Sequence, residues 1–94
     1  MIKHVVCQKF EHQADAAEAA AKLRALMGVV PTLRAMEVGL NIKESERAFD
    51  LVLIAQFDDM EGLAAYDHHP AHEAVRAFIK ARRTGTVSVD YLCE

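Results

Sequence analysis

The stretch FDLVLIAQF, residues 49–57, constrains the fold of this chain more than any other. Read as a strand, it puts Phe49, Leu51, Leu53, Ala55 and Phe57 on one face and Val52 and Ile54 on the other. Both faces are apolar, so the pattern predicts a central strand covered on two sides. Such a strand needs neighbours, and the rest of the chain supplies them. Ile2 to Phe10 alternates, with Ile2, His4, Val6, Gln8 and Phe10 on one face and Lys3, Val5, Cys7 and Lys9 on the other. Leu33 to Lys43 reads as another strand, and Gly39 inside it suggests a bulge or a close approach. After a polar turn at Glu44–Arg47 comes the central stretch. A turn at Thr84-Gly85 then leads into a last strand, Thr86 to Cys93, with Val87, Val89 and Tyr91 on one side.

Helical patterns separate these strands. Ala14 to Met27 carries Ala16, Ala20, Leu23 and Met27 at helical spacing. Asp15 and Glu18 resemble a capping box, Gly28 stands where a C-cap glycine would, and Pro31 follows. Asp58 is placed as the N-cap of a short helix running to about Tyr66. Pro70 suits the first position of a further helix, where its missing N–H costs nothing. That helix would turn Ala74, Val75, Phe78 and Ile79 inward and end near Arg82. The order is βαββαβ, with the second helical region broken at Pro70. The expected class is α+β: a ferredoxin-like, four-stranded antiparallel sheet with its helices on one face, as one domain over residues 1–94. In the usual strand order the first and last strands are antiparallel neighbours, which keeps Cys7 far from Cys93 and argues against a bridge.

Helices on one face leave the other open. The expectation is that the open face carries Ile2, Val6 and Phe10 together with an apolar row of the central strand. Left in water, such a face would be a patch of several hundred Å², more than a monomer usually tolerates. At roughly 25 cal/mol per Å², covering it is worth several kcal/mol even after association costs. The inference is a homodimer whose two sheets face each other and enclose a space into which His4 and Gln8 point.

Composition bounds the partners. The chain has a net charge of −3 and is 52% apolar. Its densest basic stretch, Lys80-Ala81-Arg82-Arg83, fits the last turn of a helix, where cations suit the dipole, better than a footprint on nucleic acid. No apolar run approaches the ~20 residues of a membrane helix. The first residues, MIKHVVCQKF, do not form a secretory signal. The expectations are therefore no nucleic acid, no membrane, a cytoplasmic location, and two reduced thiols without a redox role.

Chemistry points to DHHPAH, residues 67–72, which holds three of the five histidines. A helical two-histidine metal site would use His68 and His72, or His69 and His72, but Pro70 interrupts both spacings and no cysteine is near. No metal and no organic cofactor are expected. With Pro70 at the first helical position, His69 becomes the N-cap and His72 lies in the first turn. The positive end of the helix dipole keeps His72 neutral there and leaves one ring nitrogen to accept a proton, as a general base does. A hydrogen bond from His72 to a loop carbonyl that fixes the helix start explains the same residue. His4, beside valines, is equally a satisfied interior polar group, and His12 lies in a solvated loop. The Tyr66 hydroxyl points toward the mouth of the cavity on one reading; on the other, packing alone accounts for the ring.

These residues resemble a known family. Ile2-Lys3-His4-Val5-Val6 with Lys9-Phe10, Val30-Pro31, Gly39 and above all Tyr66-Asp67-His68-His69-Pro70-Ala71-His72 are similar to the stress-responsive dimeric α/β-barrel domain, over nearly the whole chain. The resemblance implies a homodimeric barrel. Most members are small stress-associated proteins of unsettled biochemical role. One plant branch, similar to olivetolic acid cyclase, closes a linear polyketide thioester by aldol condensation without metal or organic cofactor. The positions matching that branch's functional residues are His4, His72 and Tyr66. Where the branch carries a tyrosine on the first helix, this chain has Lys22-Leu23-Arg24.

Three functions stay open at this stage. The first is a homodimer that binds a small apolar or aromatic ligand through His4, Val6, Gln8, Tyr66, His69 and His72. The second is a cofactor-free lyase, cyclase or isomerase acting on a carbonyl or polyketide-like compound, with His72 as base and His4 or Tyr66 stabilising the enolate. The third is an oxygenase or haem-binding relative of the same architecture.

Overall fold

The structure, a computed structural model, describes residues 1–93. Its elements are β1 (Ile2–Phe10), α1 (Gln13–Arg24), β2 (Ala35–Leu40), β3 (Leu51–Phe57), α2 (Met60–Asp67), α3 (Pro70–Arg82) and β4 (Arg83–Leu92). The strands form one antiparallel sheet in the order β2-β3-β1-β4. β3 is a central strand, as its two apolar faces require, and β1 and β4 are neighbours. Cys7 pairs with Val87, whereas the Cys93 amide donates to the Met1 carbonyl, so the two free thiols lie apart.

The core lies between the sheet and the helices. From the sheet it takes Ile2, Phe10, Leu51, Leu53, Ala55 and Phe57; from α1 it takes Ala16, Ala19, Ala20 and Leu23. The three alanines are buried almost completely. Their small side chains let α1 lie close over β2 and β3. Val75 and Ile79 bury from α3, while Ala74 is exposed and Phe78, half-buried, lies under the cations of Lys22 and Arg82. α3 packs mainly on α1 and α2 and stands off from the β1–β4 half of the sheet.

The faces of β1 are the reverse of the expectation. Ile2, His4, Val6, Gln8 and Phe10 look toward the helices, opposite Phe57, Ala55, Leu53 and Leu51 of β3. The open face carries Lys3, Val5, Cys7 and Lys9. The register aligns them in rows: Val52–Cys7–Val87, Ile54–Val5–Val89 and Gln56–Lys3–Tyr91. Cost decides the choice. Closing a lid of helices over two lysines would bury two cations, whereas Gln8 and a His4 partnered by Asp90 can be enclosed far more cheaply. On the open face Lys3 and Lys9 lie toward the two ends of the strand, where their ammonium groups reach water. The face left uncovered is still apolar: Val87, Val89 and Tyr91 are 53%, 62% and 44% exposed.

Several ends differ from the sequence pattern. α1 begins after His12 without a side-chain cap, so Asp15 and Glu18 form no capping box, and it stops at Arg24. Gly28, at φ +87°, belongs to the turns that follow. Asp59, not Asp58, caps α2 by accepting from the Gly62 amide, because Asp58 is engaged by Arg34 at 2.9 Å. Thr84-Gly85 is no turn: the chain passes from α3 into β4 at Arg83, whose backbone is already extended.

Candidate functional site: a cavity between sheet and helices

The gap under α3 is a cavity of ≈ 370 Å³. Its walls come from β1 (His4, Val6, Gln8), β4 (Arg83, Thr86, Ser88) and α3 (His72, Val75, Arg76, Ile79), with Leu23, Leu53 and Asp67. It lies within one protomer. The expected space between two facing sheets is therefore corrected: His4 and Gln8 point into the chain's own interior, under its own helices.

One end of this cavity gathers the protic groups. α3 starts at Pro70, with His69 as N-cap; the His69 Nδ1 accepts from the Ala71 amide at 3.1 Å. His69 thus turns to its own helix and contributes nothing to the cavity wall. His72, in the first turn, is half-buried and lines the cavity. Its Nδ1 lies 3.2 Å from the Asp67 carbonyl, which only accepts, so Nδ1 carries the proton. Arg76 donates to the same carbonyl at 2.6 Å. The 3.3 Å approach of Arg76 to the His72 Nδ1 is thus two donors converging on one acceptor. Nε2 is left as the basic nitrogen. Burial pushes the His72 pKa down, and the Arg76 guanidinium adds to the shift against the opposing effect of the Asp67 carbonyl. The direction is that expected from the sequence, and burial is its leading cause.

His4 is held from the other side. Its Nδ1 is hydrogen-bonded to Asp90, the residue directly opposite it on β4. A carboxylate accepts, so His4 too presents Nε2. Tyr66, in the last turn of α2, is fully buried between these rings. Its centroid is 4.2 Å from that of His72, 6.4 Å from that of His4 and 5.1 Å from that of Phe57. Burial raises the Tyr66 phenol well above its ordinary value, with Asp67 adding to the effect, so it stays a donor at neutral pH. Among the described residues its hydroxyl has no hydrogen-bond partner. The other end of the cavity holds Gln8, 7% exposed, whose Oε1 is likewise unpartnered.

The structure therefore brings together His4, Val6, Gln8 and His72 around one cavity, with Tyr66 packed behind the two histidines. His12 is exposed. Sequence reasoning missed Asp90, Arg76, Arg83 and the hydroxyls of Thr86 and Ser88. Asp90 left a signal, since an acidic residue inside the strand VSVDY is unfavourable without a partner. No signal identified the others, because their placement depends on β4 pairing. Among the described residues no three His, Cys, Asp or Glu side chains cluster as a metal site would need, and no helix is long and apolar enough to cross a membrane.

Comparisons with known proteins agree with this architecture. The chain is similar to an uncharacterized protein of Streptomyces coelicolor, 33% identical over 79 residues that cover 79% of this chain and 81% of that one. It superposes on a dimeric ferredoxin-like protein of unknown function from Thermobifida fusca with a TM-score of 0.87, at 22% identity, covering 98% of this chain and 90% of that one. It also superposes on the hydroxynitrile lyase of Passiflora edulis with a TM-score of 0.85, at 12% identity, covering 99% and 93%. The family model for the stress responsive A/B barrel domain matches residues 2–93. With the sheet order, the helices confined to one face and this match in agreement, the chain belongs to the stress-responsive A/B barrel domain family.

Proposed function

We propose that the chain is a homodimer in which each protomer binds a small, mostly apolar carbonyl compound between its sheet and α3, and that His72 acts on this compound as a general base. One observation carries the reading. Two histidines, each with Nδ1 engaged, border one end of a cavity that Val6, Leu23, Leu53, Val75 and Ile79 line along its apolar side, and an unpartnered Tyr66 hydroxyl is buried directly behind them. Mere packing has no use for a buried donor without an acceptor. A carbonyl oxygen supplies that acceptor. His72 Nε2 takes the proton from the carbon beside the carbonyl, the C–H electron pair moves into the new C–C double bond, and the carbonyl π pair moves onto oxygen. The resulting enolate oxygen accepts from the Tyr66 O–H. Asp90 holds the His4 ring so that its Nε2 borders the same space. The likeness to the Passiflora edulis hydroxynitrile lyase supports only the point that this fold hosts a lyase elsewhere.

Dimerisation rests on the open face. Its Val5, Cys7, Val52, Ile54, Val87 and Val89 rows need cover, and a second copy laid face to face provides it. The Thermobifida fusca neighbour, described as dimeric, supports this arrangement.

A second reading, binding without turnover, is favoured by Leu23. Where the cyclase-like plant branch carries a first-helix tyrosine, this chain presents an apolar wall. Proton exchange separates the two. Octan-2-one in deuterated buffer is followed by NMR for loss of its α-protons. Wild type is expected to accelerate exchange over buffer, and His72→Ala to lose about 10²–10⁴ of that acceleration. A His72→Ala rate within about threefold of wild type, against that expected loss, removes His72 as the base. Binding of the ketone with no exchange leaves the second reading.

A further inference from the structure

The end of the cavity opposite the histidines is also built, and the acid–base reading does not use it. Gln8 lies there, 7% exposed, with no partner for its Oε1 among the described residues. Beside it are Thr86, paired with Gln8 across the sheet, and Arg83, paired with Phe10. Arg76 is occupied by Asp67, and Arg82 by the Phe78 carbonyl and Asp15. The Arg83 guanidinium has no such partner among the described residues, although it is partly buried and lines the cavity.

Its direction comes from an irregularity in the sheet. Lys9 pairs with Gly85 but Phe10 pairs with Arg83, so the register shifts there and Thr84 is an extra residue. Strict alternation would turn Thr84 to the helix side and Arg83 to the open side. The bulge reverses this and aims a cation inward, as bulges beside functional sites do. A partly buried guanidinium without a partner, lining a cavity, is completed by an anion, while the Gln8 Oε1, an acceptor, is served by an N–H donor such as Arg83 itself. The Arg83 guanidinium, the Gln8 Nε2 and the Thr86 hydroxyl are together a donor set for a carboxylate.

We propose that the cavity takes an apolar-bodied carboxylic acid, its carboxylate held by Arg83, Gln8 and Thr86 and its carbonyl lying toward His72 and Tyr66. The proposal rests on the reading of the cavity as a ligand site and names the ligand's class. The span fits a medium-length chain: Gln8 and His4 are four residues apart on one strand, about 13 Å. Between them the wall is Val6, Leu53, Leu23, Val75 and Ile79.

The test compares octanoate with octan-1-ol, which share the chain and differ in the charged head, by NMR titration of wild type and Arg83→Gln. Wild type is expected to bind octanoate at least about tenfold more tightly than the alcohol, with shifts at Val6, Leu53 and Ile79. Arg83→Gln is expected to lose that preference while keeping its affinity for the alcohol, and Arg83→Lys to keep part of it. Among the described residues Arg83 makes no side-chain bond that its replacement would break, and a melting curve checks that the variant is folded. Equal affinities in wild type, or an octanoate affinity unchanged in Arg83→Gln, overturns the carboxylate site and leaves the cavity as a ligand site. If neither compound shifts the cavity residues, the ligand site itself fails and the carboxylate site with it.

Discussion

Replacing Tyr66 by phenylalanine removes one oxygen and should make the protein more stable. The ring is fully buried and packed on Phe57, His72 and His4, and phenylalanine keeps those contacts. The hydroxyl alone has no partner among the described residues. A buried, unpaired hydroxyl costs about 1–3 kcal/mol of desolvation, and its removal leaves only a small void, so a gain of about 1 kcal/mol is expected. For a domain of this size that raises Tm by roughly 4–8 °C. Thermal unfolding followed by circular dichroism measures it, with both proteins at one concentration because association couples to stability. A pH near 8 keeps His72 neutral in both folded and unfolded chains. A hydroxyl engaged in a net-favourable hydrogen bond would give the opposite sign, a loss of about 0.5–1.5 kcal/mol. A Tyr66→Phe protein that melts below wild type by that amount refutes the unpartnered hydroxyl and the role built on it. Tyr66→Ala, which empties the ring's space, should instead cost about 3–5 kcal/mol and calibrates the assay. The same Tyr66→Phe protein should exchange ketone α-protons more slowly. A stabilising change that impairs the site is what a functional hydroxyl held unpaired in a core predicts.

Two further outcomes follow from the same geometry. Val89→Asp places a charge in the middle of the open face, opposite Val5, and should convert the homodimer to monomer in light scattering at micromolar concentration; it should leave octanoate binding in place, because no cavity wall comes from that face. The His72 pKa in the folded chain lies below 6.5, its ordinary value, so the unfolded chain binds more protons below that pH. The His72 contribution is therefore intact above pH 6.5 and is lost as pH falls from there through the folded-state value. His72→Asn should lack this component, and denaturant titrations of the two proteins at pH 8 and 5 should differ only at the lower pH; parallel loss in both would show that His72 titrates as it does in the unfolded chain.

Strong local patterns were legible and long-range choices were not. The doubly apolar Phe49–Phe57 stretch marked a central strand, and Pro70 marked the start of α3 with His69 as its cap, because each is a property of neighbouring residues. Which row of β1 meets the helices is a choice between two rows of similar hydrophobicity. The chain held the deciding signal in Lys3 and Lys9, whose burial under helices is prohibitive, but the polarity of His4 and Gln8 drew attention to the wrong row. Asp58 and Asp59 are adjacent and equally good caps by type. Arg34, distant in sequence, takes Asp58 and leaves Asp59 to the helix. Asp90 became visible only through its register opposite His4.

That register also explains how one small sheet can serve two purposes. Along β1 the even positions, from Ile2 to Phe10, face the chain's own helices and build the cavity. The odd positions, Lys3 to Lys9, face outward and offer the apolar rows. β4 repeats the division, with Thr86, Ser88 and Asp90 on the helix side and Val87, Val89 and Tyr91 outside. Because side chains alternate strictly, a slip of one residue would exchange the two sets and destroy both. Cover for the open face and chemistry in the cavity therefore depend on one pairing of β1 with β4 while sharing no side chain. Only at the bulge beside Phe10 does the alternation break, and there the break carries Arg83, an odd-numbered residue, across to the cavity side.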